Sequence, residues 1–521
     1  MGTPTSLLGQ ARAFARDYPR DQMPQGYLWD VVDYVPMIVD AVLTGRGAWR
    51  WGSDTSTTLD YESGILMPFA GGDQLLAQVT DGSVYQVGQT PPYTATFRGG
   101  ASNSLQNPVR YKDGAVNFDK NGAVVPDLWR ETGVPVPINA AFEKAKVGTV
   151  YKDMLVYAGI PGQENIVRFS HPDKDLTAAD AYEPNSFLRS SAPVTALAAM
   201  RAALLVFHAG SVERIRGTVP PHGTVEDSDM FLEPLFERVG CLDPRTIAFW
   251  NDNLIFADEH GVHLTDGAVI RNLANQGGIQ FFWRTLYATK ISMSGCSFLD
   301  YYMITVRRSA GGEITLICDL NRRQWFRFSN LDVKFYIASS GASDMERVWA
   351  GINGTHRLAR IGPCFFPTFD TSMIVDDNGV SVRPVFETPW YRMGQEGRKR
   401  IRFVYLSYDV RTGAPAVAED QAAEWRASHL QESFESGVQT LIPAPKLATP
   451  VLDVGYVRSP QQVSYTSAGQ LSASSEYTRF RLPIKKFPYG MAFRVQQIAD
   501  STVTRVFDLA VESQGAERSR V

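Results

Sequence analysis

Seven short apolar runs, each leading through a turn into an alternating segment, predict an all-β chain: a β-propeller of six or seven blades followed by a C-terminal β-sandwich. The runs end at Ala77, Asn117, Tyr157, Phe207, Phe256, Ile304 and Trp349, at intervals of 40, 40, 50, 49, 48 and 45 residues. Most are followed by Gly, Asp, Asn or His and then by segments such as SVYQVG, NIVRFS, SVERIRG, GVHLTDG and HRLARIG. Period-two alternation makes these segments half-buried strands, and the intervening residues supply the turns. Helical solenoids of similar period would repeat their apolar residues every 3.6 positions instead. A single blade cannot bury both faces of its sheet, so the units are expected to stack around an axis.

Taken in order, residues 1–45 form an N-terminal segment. TSLLGQARAFAR at 5–16 is expected to be a short amphipathic helix, and YLWDVVDYVPMIVDAV at 27–42 is expected to be the strand that closes the propeller. Residues 46–365 are the propeller itself. Within it VTALAAMRAALLVF at 194–207 is Ala-rich, which favours helix, but the repeat register places its end on a blade strand. The turn-rich stretch GPCFFPTFDTSMIVDDNGVSVRP at 362–384 marks the boundary. Residues 366–521 are strand-like again, with a helical interlude at 418–430, and fit a sandwich-like domain.

Composition bounds the function classes. The 521 residues are 44% hydrophobic and 20% charged, as in ordinary globular proteins, with length for two or three domains. A formal net charge of -4 gives no basic field for stable nucleic-acid binding. Cys241, Cys296, Cys318 and Cys364 are too widely spaced for a metal knuckle and read as small buried hydrophobes in a reduced protein. The N-terminus has no apolar signal core and no run of about 18 apolar residues occurs, so neither secretion nor membrane insertion is expected. Asn353 in NGT reads as a turn.

No strong catalytic motif is present: G-x-S-x-G, H-E-x-x-H, the P-loop and G-x-G-x-x-G are all missing. His260 and His263 in HGVH are weighed as metal ligands, but a hairpin turn does not put them on one face, and they read as surface turn histidines. The aspartates of HPDKD at 171–175 and VDDNG at 375–379 lack the full calcium-loop spacing and read as turn formers. The one basic cluster is GRKRIR at 397–402. There strand alternation sends Ile401, Phe403 and Tyr405 to one face and Arg398, Arg400 and Arg402 to the other, where three guanidinium groups suit carboxylates of a neighbouring subunit. No catalytic residue, cofactor or metal is assigned, and the chain is not expected to be an enzyme.

The segment ERVGCLDPRTIAFWNDNLIFADEHGVHLTDG at 237–267, preceded by LLVFHAGSVERIRGT at 204–218, resembles the middle of tail hub and nozzle proteins of short-tailed bacteriophages. YVPMIVDAVLTGRGAWRWGS resembles their opening strand, and KRIRFVYLSYDV and PIKKFPYGMAFRVQQIADSTVTRVFDLAVE their terminal β domain. The resemblance implies a virion structural protein, assembled in the host cytoplasm as a cyclic homo-oligomer of six copies around a channel for DNA ejection. Its implied partners are portal or adaptor and other tail proteins, with phage DNA in transient passage. It supplies no catalytic residues. The alternative from a different class is a propeller enzyme or carbohydrate-binding propeller, which needs acids or histidines converging on the axis.

Overall fold

The computed structural model describes residues 59–361 with breaks at 70–71, 89–93, 101–107, 202, 218–228, 310, 330 and 339–347, together with strands and short runs between residues 5 and 51 and between 376 and 514. Six four-stranded sheets and the first four strands of a ten-stranded sheet make a seven-bladed β-propeller. The first strands of the blades, Tyr61–Phe69, Val109–Tyr111, Val147–Tyr151, Ala196–Ala199, Ala248–Trp250, Lys290–Phe298 and Val333–Ala338, line the axis.

Each of the seven apolar runs lands on the second strand of a blade: Gly72–Val79, Gly114–Asn117, Met154–Ile160, Leu204–Phe207, Asn253–Asp258, Tyr301–Arg308 and Val348–Ile352. These strands are apolar on both faces because each is sandwiched between neighbouring blades. In blade 4, Leu204 and Val206 pack with Val156 and Ala158 of blade 3, whereas Leu205 and Phe207 pack with Leu254 and Phe256 of blade 5. The Ala-rich stretch is accordingly a hairpin of Ala196–Ala199 and Leu204–Phe207, with Ala196 opposite Phe207. Tertiary burial overrides the helical preference of alanine.

The run ends Tyr157, Phe207 and Phe256, which the even spacing of the repeat would make equivalent, do not share one face. Tyr157 faces blade 2 and Phe256 faces blade 4, but Phe207 faces blade 5, so the three are not equivalent. Val206 is the true counterpart of Phe256. A slip of one residue turns a side chain to the opposite face of its sheet.

The tight turns between first and second strands explain the polar pairs that punctuate the repeats. Lys152 and Asp153 have φ of 50° and 61°, and Asn251 and Asp252 have φ of 45° and 60°, as two-residue type I′ hairpin turns require. Lys112 and Lys152 then reach forward from blades 2 and 3. They donate to the carbonyls of Pro172 and Gly217 in the next blades.

The last blade is completed by the N-terminal strand Arg50–Trp51, whose Trp51 lies opposite Ala359. The closing strand therefore lies after the segment expected to supply it. Within 27–42, Asp30–Val32 instead pairs in parallel with Gln324–Phe328 at the outer edge of blade 6, and in antiparallel with Val385–Glu387. Tyr34–Pro36 pairs with Leu43–Gly45. Of the expected N-terminal helix, Thr5–Ser6 is extended and pairs with Val511 and Ala510, while residues 7–14 lie outside the described residues. The physical reason is β-propensity: Val31, Val32 and Tyr34 suit any open sheet edge, and pattern alone does not choose which.

Beyond the propeller, Arg400–Thr412 pairs with Thr478–Lys486 and Thr502–Gln514, while Pro450–Ser459 pairs with Gln462–Gln470 and Gly490–Gln497. Residues 362–375, Cys364 among them, and the interlude at 418–430 lie outside the described residues. Asp376–Asp377 pairs antiparallel with Val380–Ser381, and Val375, Asn378 and Gly379 of VDDNG lie outside the described residues.

Candidate functional site

Two buried histidine–acid pairs occupy successive seams, one between blades 3 and 4 and the next between blades 4 and 5. In blade 4, His208 follows the second strand and Glu213 sits on the third. His208 Nδ1 lies 3.0 Å from the Pro193 carbonyl, so it carries a proton and donates. Its Nε2 lies 3.0 Å from Ser190 Oγ and 3.2 Å from Glu213 Oε2, and Ser190 Oγ donates to the same carboxylate oxygen at 2.5 Å.

Blade 5 repeats the pair with its members exchanged. Asp258 ends the second strand and His263 is on the third, with Nε2 2.7 Å from Asp258 Oδ1. The Asp258 carboxylate also accepts from the amides of His260 at 2.7 Å, Gly261 at 3.0 Å and Gly240 at 3.3 Å. His263 is thus a buried brace and not the surface turn residue expected. His260 is half-buried beside Glu259, and among the described residues no group of three His, Cys, Asp or Glu side chains is placed to hold a metal.

The connector between blades 4 and 5, Val239–Gly240–Cys241, is held by the Asp258 carboxylate and by the backbone of His208, while the His208 and Glu213 side chains hold the preceding connector at Ser190, Ser191 and Pro193. The Cys241 amide donates to the His208 carbonyl at 3.0 Å while the Gly240 amide donates to Asp258. A β-carbon on Gly240 would lie 2.2 Å from the His208 carbonyl oxygen, so only glycine fits that approach. This gives a physical role to the glycine of ERVGCLDP.

Ser190, His208 and Glu213 are the residue types of a nucleophilic triad, but their geometry differs from one. In a triad the acid orients the imidazole from one nitrogen while the hydroxyl faces the other. Here hydroxyl and carboxylate share Nε2, and all three side chains are buried. The arrangement braces a hairpin. Burial raises the Glu213 carboxyl, but hydrogen bonds from Ser190 and Ser191 and the charge of His208 outweigh it and hold the group below the usual carboxylate range. A depressed acid stabilises the fold fully above its unfolded value and loses that contribution as pH falls through the native one. Glu213→Gln is therefore expected to flatten the acid limb of stability against pH, read as urea midpoints between pH 7 and 3. An unchanged limb would remove Glu213 from the acid response.

Two cavities of about 270 and 450 Å³ occupy the axis and share Pro108, Ile247 and Phe249. Among the described residues neither is lined by Asp, Glu or His. Charged groups cluster instead where first strands begin. Lys334 Nζ lies 3.0 Å from Asp60 and 2.8 Å from Glu62, linking blades 7 and 1, and Arg245 pairs with Asp243 at 3.0 Å. Asp243 also accepts from the Met293 amide of blade 6 at 3.0 Å. These pairs tie blades together.

The remaining sequence candidates fall into place singly. In HPDKD, Asp175 accepts from the Thr177 amide and hydroxyl and from Arg130 of blade 2, which together hold its carboxyl down at about 2. It is a turn former, as expected. Cys241, Cys296 and Cys318 are buried free thiols, and burial pushes Cys241 up to about 12, away from nucleophilic chemistry. Arg400 and Arg402 lie on the strand Arg400–Thr412, with Ile401 opposite Ser513 and Lys486. Arg398 lies outside the described residues. The histidine braces escape sequence reasoning because blade strands are apolar on both sides and leave no alternation to follow. A signal did exist: aligned on Val212 and Val262, FHAGSVE and ADEHGVH carry an imidazole and an acid in exchanged order.

No family model and no curated relative matches the chain. Among solved structures it is similar to the computationally designed Ika8 protein, at 10% identity and TM-score 0.37, covering 60% of this chain and 99% of that one. The WD40 β-propeller domain of Doa1 matches at 9% identity and TM-score 0.39, covering 62% and 100%. BamB from Moraxella catarrhalis matches at 8% and TM-score 0.36, covering 63% and 95%. These likenesses concern the fold alone. Among the described residues no helix is long and apolar enough to cross a membrane.

Proposed function

We propose that this protein is a structural ring component of a bacteriophage tail, a hub, nozzle or tail-tube ring assembled from identical copies around the path of DNA ejection. The observation that carries the reading is the extension of blade 6. Its sheet runs on through Asp30–Val32 into Val385–Glu387, Gly490–Gln497 and Pro450–Ser459, which builds a second β region onto a closed propeller by continuous pairing. Such a block offers two rigid surfaces to its neighbours, and unlike surfaces placed head to tail close into a ring under cyclic symmetry.

We read the second region as a β-sandwich of two sheets, with Arg400–Thr412 central in one of them. The sequence resemblance to tail hub and nozzle proteins points the same way. The axial cavities are of small-molecule size, so the DNA path belongs at the centre of the ring of copies and not along the propeller axis.

Arg398, Arg400 and Arg402 are assigned to the contact between copies. Their replacement by glutamate is expected to leave the monomer's melting temperature nearly unchanged while abolishing ring or tail assembly in light scattering and electron micrographs. With the chain's net charge of -4, three arginines are too few to hold DNA at physiological salt. Normal assembly combined with defective DNA delivery would move them to the channel wall. The carbohydrate reading is tested beside it: saturable binding or cleavage on a glycan array would favour it over a tail role.

A further inference from the structure

We propose that two described stretches of the N-terminal segment, residues 15–18 and residues 27–32 with Tyr34, form a latch that holds the C-terminal β region on the edge of blade 6, and that opening it frees that region while the propeller stays folded. This inference is independent of the assembly reading, because it concerns how one copy is held together.

The latch lies between the two parts. Val32 is opposite Arg327 of blade 6, and Asp30, Val31 and Val32 are opposite Glu387, Phe386 and Val385. Leu28, Val31 and Tyr34 are buried in the cluster that contains Trp325 and Phe328. The strand is only three residues long, so its pairing alone is a weak hold.

The rest of the hold is polar and sits at the ends of the segment. Asp17 takes the place of a cap on the helix Gln280–Ala288, whose own preceding residue Ile279 has no side-chain cap. The two carboxylate oxygens of Asp17 accept from the amides of Gln280 at 2.6 Å and Phe281 at 2.8 Å. Helix amides at that end lack intrahelical partners and favour a negative charge. Arg16 and Asp17 amides donate to the Gly278 carbonyl at 3.0 and 3.1 Å. Gly278 itself has φ +69°, and a β-carbon there would press on Tyr18 and Ala15.

Asp30 closes the other end. Its Oδ2 lies 2.8 Å from an Arg16 nitrogen and 3.3 Å from one of Arg327, so one carboxylate joins the segment to itself and to blade 6. Arg16 also lies over the rings of Trp29 at 4.7 Å and Phe282 at 5.9 Å. Arg16 and Arg327 retain about a quarter of their exposure, so water already reaches the polar ends of the fastening. Blade 6 keeps its own four strands when the fifth departs.

The test is amide hydrogen exchange by mass spectrometry on the full chain carrying Asp17→Ala and Asp30→Ala together. The expected result is exchange at least about tenfold faster in Val385–Glu387 and Gly490–Gln497, with protection unchanged in the second strands of blades 2 to 4. Unchanged exchange at 385–387 would overturn the latch, and so would equal loss of protection across the whole propeller. Should the double variant fail to accumulate as folded protein, Arg327→Gln removes one partner of Asp30 and is read by the same two criteria.

Discussion

Phe256→Ala is expected to destabilise the propeller by about 3 to 5 kcal/mol, measured by urea unfolding. Phe256 is fully buried at the seam of blades 4 and 5, and its ring meets Phe207 edge to face at 4.9 Å with an interplanar angle of 62°. Removing it leaves a cavity that the braced hairpins on either side cannot collapse to fill. A double-mutant cycle with Phe207→Ala should show a coupling of about 0.5 to 1.5 kcal/mol from the ring pair. Tyr157→Ala lies in a different interblade cluster and should add to Phe256→Ala without coupling. A loss below about 1 kcal/mol for Phe256→Ala would mean that the seam is packed differently.

Asp258→Ala should be comparably damaging, at about 3 to 5 kcal/mol, for an electrostatic reason. It leaves the buried His263 imidazole and the amides of His260, Gly261 and Gly240 without their acceptor. Because blade 4 places an imidazole where blade 5 has this acid, the exchanged pair Asp258→His with His263→Glu should be more stable than Asp258→His alone. The expected recovery is about 0.5 to 3 kcal/mol, the range for directly coupled neighbours. Melting curves of the two variants decide it. Equal stability would show that the two pairs are not interchangeable braces.

How much of this was legible from sequence depends on which physical signal each element leaves. Blade spacing was legible because every second strand, from Gly72–Val79 to Val348–Ile352, must bury both faces and so repeats as an apolar run. Blade order followed from it. The closing strand was not, because Asp30–Val32 and Arg50–Trp51 are both short extended segments, and the partner of an edge strand is set by distant geometry. The register of Phe207 was lost by one residue because a run apolar on both faces carries no parity. His263 was placed on the surface because a histidine beside a turn glycine looks solvated until its acid is found behind it. Asp17, capping a helix that begins at Gln280, has no local signal at all.

The most direct test of the proposed ring role is negative-stain electron microscopy of the purified protein, with immunogold labelling of tailed-phage particles. The proposal predicts closed rings with a central opening, six copies in each, and gold on the tail. Monodisperse single propellers at all concentrations, together with no label on any virion, would contradict it.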